Sequence, residues 1–266
     1  MEPYNVKIIT YPDLSKRVKI YNKAIESGHS KSVERYSNPF NDKKCINVFD
    51  FDEHFKHSRD VSYKRTIGKV YDYARCNNWD YFVTFTFSKE KVNRYDYDVC
   101  SKKISQWIKD LKKKNPDMVY LVVPERHKDG AYHFHGLFGG LNDSEIVWSG
   151  KYVVKRKGRQ FVRTKDKIYR FGRYKLGWMT ATKVKDMQRV TGYITKYITK
   201  DIISDLFGRK RYWVSRNLLL PQEDVYLLDP DDAMILGMEL DEIAKYKKVS
   251  AVEYGQLTQK VDIFEL

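Results

Sequence analysis

The stretch Tyr120–Phe138, YLVVPERHKDGAYHFHGLF, constrains the fold more than any other part of the chain. Tyr120 to Val123 is apolar and rich in strand formers, Lys128-Asp129-Gly130 is a turn signal, and Ala131 to Phe138 is apolar again. This is the pattern of a β-hairpin. His133 and His135 lie two apart, so on a strand both side chains point to one face. If Lys128 to Gly130 form a three-residue loop, Glu125 stands directly opposite His133. Two imidazoles and a carboxylate then converge without any long-range assumption, a ligand set suited to a divalent cation. A two-residue loop would shift the register and put Arg126 in the place of Glu125. His-x-His is a short pattern that chance also produces, so its weight depends on what else the chain carries.

Trp79 to Phe87 (WDYFVTFTF) is aromatic and β-branched throughout, as expected of a central strand covered on both faces. Thr84 and Thr86 share a face there and would line a site beside the hairpin. Tyr95 to Lys114 has helical spacing, with Cys100, Ile104, Trp107, Ile108 and Leu111 as one apolar stripe and Asn115-Pro116 as the stop. Upstream, Tyr4–Thr10 reads as a strand, Val18–Glu26 as a short helix and Thr66–Asn77 as a helix. Asn38-Pro39 and Asn41-Asp42 are turn signals. Near the C-terminus a helix is expected around Asp232–Tyr246. These elements suggest three parts: an N-terminal extension over residues 1–78 packing on the core, a core over 79–205, and a C-terminal extension over 206–266 with an acidic tail.

Charge is unevenly distributed. The net charge is +15, yet residues 151–185 alone carry 13 Lys and Arg against one acid, Asp166, while residues 221–266 carry four basic residues against 11 acids. Concentrated positive charge points to a polyanionic partner, most often nucleic acid. Within the basic segment Tyr152, Phe161, Tyr169, Phe171, Tyr174 and Trp178 alternate with cations. Cations hold phosphates and rings stack on exposed bases. Lys155, Arg156, Lys157, Arg159, Arg163, Arg170, Arg173 and Lys175 are the candidate DNA contacts. Lys157-Gly158 looks like a hairpin turn, and Trp178–Val184 is expected to re-enter the sheet as a strand. The segment therefore reads as a basic insertion in the core. No apolar run is long enough for a membrane helix, and the first residues lack the pattern of a secretory signal. The three cysteines, Cys45, Cys76 and Cys100, form no CxxC pair, which disfavours structural zinc and a disulfide framework and fits a reducing cytoplasm.

The second motif lies in Asp186–Lys200, DMQRVTGYITKYITK. Asp186 is a good N-cap. On a continuous helix Met187, Val190, Ile194 and Ile198 make a narrow apolar stripe. Tyr193 and Tyr197 then lie one turn apart at its edge, with Lys196 and Lys200 further round on the same side. The pattern hydrophobe-x-x-Tyr-hydrophobe-x-Lys occurs twice, overlapping: Val190 to Lys196 and Ile194 to Lys200. It resembles the nucleophile motif of the HUH endonucleases, the rolling-circle replication initiators. His133-Phe134-His135 is similar to that family's His-hydrophobe-His metal motif, and Phe82–Phe87 resembles its first motif. The three stand in the family's order and span about residues 79–205. The tandem tyrosines resemble the two-tyrosine initiators of small single-stranded DNA phages and related plasmids.

The resemblance implies an α+β fold in which an antiparallel sheet, ferredoxin-like in arrangement, carries the metal site and the tyrosine helix packs beside it. It implies that His133, His135 and Glu125 hold Mg²⁺ or Mn²⁺. Tyr193 and Tyr197 would attack DNA, with Lys196 or Lys200 stabilising the charge that develops. It also implies a 5′-phosphotyrosyl intermediate and a free 3′ hydroxyl, with single-stranded DNA at a replication origin as partner, in the cytoplasm of a bacterial host. No GxxxxGK[ST] phosphate loop is present, so unwinding and synthesis would fall to a host helicase and polymerase. An HUH-type transposase and a non-catalytic origin-binding protein whose tyrosines only pack are the competing readings. A 2-His-1-carboxylate Fe(II) site would leave the basic segment and both tyrosine motifs without a role.

Overall fold

The computed structural model describes residues 2–25, 48–206, 208–254 and 257–266. The chain divides into two compact units, residues 63–219 and residues 1–62 with 220–266. This division differs from the three consecutive parts expected.

In chain order, β1 (Tyr4–Thr10) and β2 (Lys16–Ile25) pair antiparallel. The helix expected over Val18–Glu26 is therefore a strand as far as Ile25; Glu26 lies outside the described residues. Apolar spacing there suits either period, and pairing on both edges decides for the strand. The turn signals at Asn38-Pro39 and Asn41-Asp42, and Cys45, also lie outside the described residues. Helix α1 (Val48–Cys76) extends the expected Thr66–Asn77 helix toward the N-terminus. Cys76 and Cys100 are buried free thiols.

The 63–219 unit is built on a strand, helix, strand, strand sequence: β3 (Tyr81–Phe87), α2 (Tyr97–Lys114), β4 (Val119–Arg126) and β5 (Tyr132–Gly139). Asp96 caps α2 by accepting a hydrogen bond from the Val99 amide at 3.1 Å, and Asn115 closes the helix. Next come β6 (Ile146–Lys157), β7 (Gln160–Phe171) and β8 (Gly177–Lys183), then α3 (Met187–Thr195), α4 (Lys200–Asp205) and the short β9 (Trp213–Val214). Together they make a seven-stranded antiparallel sheet in the order β6-β7-β8-β3-β5-β4-β9. The basic segment is thus part of the sheet itself: β8 is hydrogen-bonded to β3 along its length.

Burial alternates along β3. Val83, Phe85 and Phe87 are buried, with Phe134 and Phe138 beside them and the apolar stripe of α2 above; Phe85 meets Trp107 edge-on at 5.1 Å. Each such fully buried side chain contributes roughly 1.5–3 kcal/mol. Phe82, Thr84 and Thr86 face the other way and are only half-buried. The expectation of a strand covered on both faces is corrected here. The threonines break the apolar run at alternate positions, and the face they occupy is left open for chemistry.

The remaining elements are β10 (Gln222–Tyr226), α5 (Pro230–Ile243), β11 (Tyr246–Tyr254) and β12 (Leu257–Glu265). The helix expected to reach Tyr246 stops at Ile243, because Tyr246 already pairs with Glu265. These strands complete a five-stranded antiparallel sheet in the order β10-β1-β2-β12-β11, around Val6, Val18, Leu240 and Phe264. The fold is α+β, with two antiparallel sheets. No helix among the described residues is long and apolar enough to cross a membrane.

Candidate active site

Three of the sequence-predicted residues meet because the hairpin turn has three residues. The His127 amide donates to the Ala131 carbonyl at 2.8 Å, leaving Lys128, Asp129 and Gly130 as the loop, with Gly130 at φ 86°. That left-handed conformation suits glycine. The register that follows sets Glu125 opposite His133 and Val123 opposite His135. On the other edge of β5, His133 faces Thr86 and His135 faces Thr84 in β3.

The side chains use this register. His135 Nε2 lies 2.6 Å from Glu125 Oε2, and His135 Nδ1 lies 3.2 Å from the Thr84 hydroxyl. His133 Nδ1 lies 3.3 Å from the Thr86 hydroxyl. A hydroxyl both donates and accepts, so each threonine satisfies either tautomer of its histidine. When Nδ1 carries the proton, Nε2 presents a lone pair outward, which is the form a metal ligand needs. The hydrogen bond with His135 holds the Glu125 carboxyl below its usual range, against the opposing effect of burial. Burial pushes the His133 imidazole down, and His127 beside it adds to this. Both shifts favour the ligating forms, carboxylate and neutral imidazole. Among the described residues no three His, Cys, Asp or Glu side chains are spaced to hold a metal ion as they stand. The cause is local: Glu125 is in direct contact with His135, where a cation would take the place of the shared proton. By donor chemistry the set fits a divalent cation.

The tyrosine segment differs from expectation. It is not one helix to Lys200. Asp186 caps α3, accepting from the Arg189 amide at 2.9 Å, and α3 ends at Thr195. The next three amides bond three residues back instead of four: Lys196 to Tyr193, Tyr197 to Ile194 and Ile198 to Thr195. The Thr199 hydroxyl then accepts from the Ile202 amide at 3.2 Å and opens α4. The tightened turn carries Tyr197 inward. Its ring lies flat on His135, with centroids 3.5 Å apart and planes 11° from parallel. Tyr193 stays at the surface, 44% exposed, edge-on to Phe82 at 5.2 Å and perpendicular to Tyr197 at 5.5 Å. Burial pushes the Tyr197 phenol well above its ordinary range, and a hydrogen bond shared with Tyr193 adds to it. Lys196 keeps its expected place, with Nζ 5.6 Å from the Tyr193 ring centre. Lys200 does not share a helix edge with it: it is the first residue of α4.

Val190, Thr191 and Ile194 bury the inner face of α3, and Arg126 at the end of β4 pairs with Asp205 at the end of α4 at 2.8 Å. These contacts hold the tyrosine segment over the sheet. His127, which sequence reasoning passed over, stacks on His133 at 5.2 Å and is oriented by Asp129 at 3.1 Å. Its place in the turn two residues from Glu125 was the available signal.

All eight candidate DNA contacts are exposed. Lys155, Arg156 and Lys157 lie on β6, Arg159 in the turn, Arg163 and Arg170 on β7, and Arg173 and Lys175 in the loop before β8. Some also have structural roles. Arg163 sits over the Tyr152 ring at 3.8 Å, and Arg173 lies 3.1 Å from the buried Glu145 carboxylate.

Residues 80–202 match a family model, that of the replication-associated protein ORF2 family. The matched segment runs from the start of β3 into α4 and contains every metal and tyrosine candidate. The match supports a replication-initiator family and a part in DNA replication. No curated protein and no solved structure matches the chain.

Proposed function

We propose that this protein is a rolling-circle replication initiator of the HUH type, which nicks and rejoins single-stranded DNA at an origin by tyrosine attack. One observation carries the reading. Within the segment that matches the replication-associated family, Tyr197 of the tyrosine motif lies on His135 of the hairpin, and His135 is bonded to Glu125.

His133, His135 and Glu125 would hold Mg²⁺ or Mn²⁺. When bound, the cation supplies Lewis-acid polarisation of the scissile phosphate. The chain supplies the rest. Thr84 and Thr86 hold both imidazoles by Nδ1 and so aim Nε2 at the substrate side. The phenol of Tyr197 or Tyr193 attacks phosphorus; a tyrosyl O–P bond forms and the bond to the 3′ oxygen breaks. The phenol proton leaves to solvent, and the departing 3′ oxygen takes one up. A phenol is protonated and weakly nucleophilic at neutral pH, the more so for Tyr197 in its buried position. Lys196 sets positive charge beside Tyr193, where negative charge grows during attack. The phosphotyrosyl ester keeps the energy of the broken bond, so the second tyrosine, 5.5 Å away, can take part in resealing or in the next cut.

The test uses 5′-labelled and 3′-labelled single-stranded oligonucleotides covering the origin of the protein's own replicon, incubated with Mn²⁺. The reading expects a covalent band that carries only the 3′-labelled fragment and is lost with EDTA, with His135→Ala or with the double Tyr193→Phe, Tyr197→Phe variant. Intact binding of the oligonucleotides without any covalent band would reject nicking and favour an origin-binding protein.

A further inference from the structure

We propose that Trp178 is a stacking platform for an unpaired base of the DNA next to the reacting phosphate, with Lys151 and Arg170 holding the backbone beside it. The choice of DNA as ligand rests on the function proposed above. The site itself follows from the sheet.

Trp178 stands on β8 directly opposite Thr86 of β3, and Thr86 stands opposite His133 of β5, which faces Glu125 of β4. Cross-strand partners share a face, so tryptophan, threonine, histidine and carboxylate form one row across four strands. Two strand spacings, roughly 10 Å, separate Trp178 from His133.

The ring is 59% exposed. Other tryptophans behave differently. Trp79 and Trp213 are buried and donate to the Ala74 carbonyl and the Ser105 hydroxyl. Trp148 is also exposed, but it packs edge-on to Tyr152 and pairs with Tyr169. Tyr169 pairs with Ala181, and Ala181 with Val83, so that row belongs to the buried side of the sheet. By alternation Arg170, the neighbour of Tyr169, belongs to the same side as Trp178. Lys151 Nζ lies 5.0 Å from the Trp178 ring centre.

A large exposed ring beside two cations, in line with the candidate metal ligands, matches the chemistry of a single strand: phosphates for the cations and a π-face for the ring. A duplex keeps its bases stacked on each other and offers the ring nothing comparable.

The test is fluorescence anisotropy of the full chain with a labelled oligothymidylate in EDTA, so that binding is read without cleavage. Trp178→Ala should weaken binding by about 5- to 150-fold, the loss of one stacked base, while Trp178→Phe keeps most of it. The slope of log affinity against log salt should stay unchanged in both, because a ring releases no counterions, and Lys151→Ala should lower it by about 0.7. The proposal is overturned if Trp178→Ala binds like the parent, if Trp178→Phe is as weak as Trp178→Ala, or if the parent does not bind. Failure of the proposed function is a separate result: a parent that forms no covalent adduct on its origin strands while Trp178→Ala still loses affinity leaves the platform standing without the nickase.

Discussion

At the scale of single residues, the site turns on which atom of each imidazole is held. Thr84 and Thr86 occupy the Nδ1 side of His135 and His133. Replacing Thr84 by Val keeps the shape and removes the hydroxyl, so Mn²⁺ affinity, measured by calorimetry, should fall about 10- to 100-fold; an unchanged affinity would remove the threonine from the site. A second residue-scale expectation concerns alkaline pH. Burial pushes the phenols of Tyr97 and Tyr174 far up and the Cys100 thiol up to about 12. For an acid whose folded value is raised, the native state keeps its proton after the unfolded chain has lost it. Stability is therefore fully present below the unfolded values, about 8.5 for Cys and 10 for Tyr, and declines as pH rises above them. The urea midpoint should drop between pH 8 and pH 11, and Tyr174→Phe should reduce the drop. At this scale much was legible in the sequence: the turn signal Lys128-Asp129-Gly130 set the register, and register alone brought Glu125 to His133. The direct contact of Glu125 with His135 was not legible, because it depends on side-chain rotamers.

At the scale of elements, two close approaches shape the sheet around the site. A Cβ on Gly177 would come within 2.2 Å of the Thr86 carbonyl oxygen and 2.4 Å of the Ser88 amide nitrogen, and backbone cannot yield as a flexible side chain does. Gly177→Ala should cost about 1–3 kcal/mol or more by overpacking and pull β8 from β3, which a lowered thermal midpoint would register; wild-type stability would contradict it. The second is the break after Thr195. Ile194 and Ile198 continue the four-residue apolar spacing through the break, and this spacing disguised it as one helix. The signal against it was present: Thr199 followed by Asp201 is a start pattern for a new helix, and β-branched residues crowd the join. A straight helix would have presented both phenols alike; the break makes one exposed and one stacked on His135.

At the scale of the whole molecule, the sheet of the 1–62 and 220–266 unit joins the two ends of the chain. β2 lies between β1 and β12, with Val261 opposite Tyr21 and Phe264 opposite Val18. Such pairing across more than two hundred residues leaves no mark in local periodicity, which is why Val18 to Ile25 read as a helix and the ends as separate extensions. Deleting residues 246–266 removes β11 and β12 and strips Phe264 from its core with Val6, Val18 and Leu240. Limited proteolysis should then cut rapidly within β1 and β2; protection equal to the full chain would contradict the topology. The 63–219 unit was more legible, because its strands follow one another closely and its helix obeys one clean period.

If the proposed chemistry operates, a tyrosine of the Asp186–Lys200 segment becomes covalently joined to DNA. Trypsin separates the two candidates, cutting after Arg189, Lys196 and Lys200 to give Val190–Lys196 with Tyr193 and Tyr197–Lys200 with Tyr197. The decisive experiment is therefore mass spectrometry of the adduct formed with Mn²⁺ and origin-strand DNA, after nuclease trimming and tryptic digestion. A nucleotide 5′-linked to one or both of these two peptides is the expected outcome. A nucleotide on any other peptide, or no modified peptide from a protein that binds the strand, would contradict tyrosine attack from this segment.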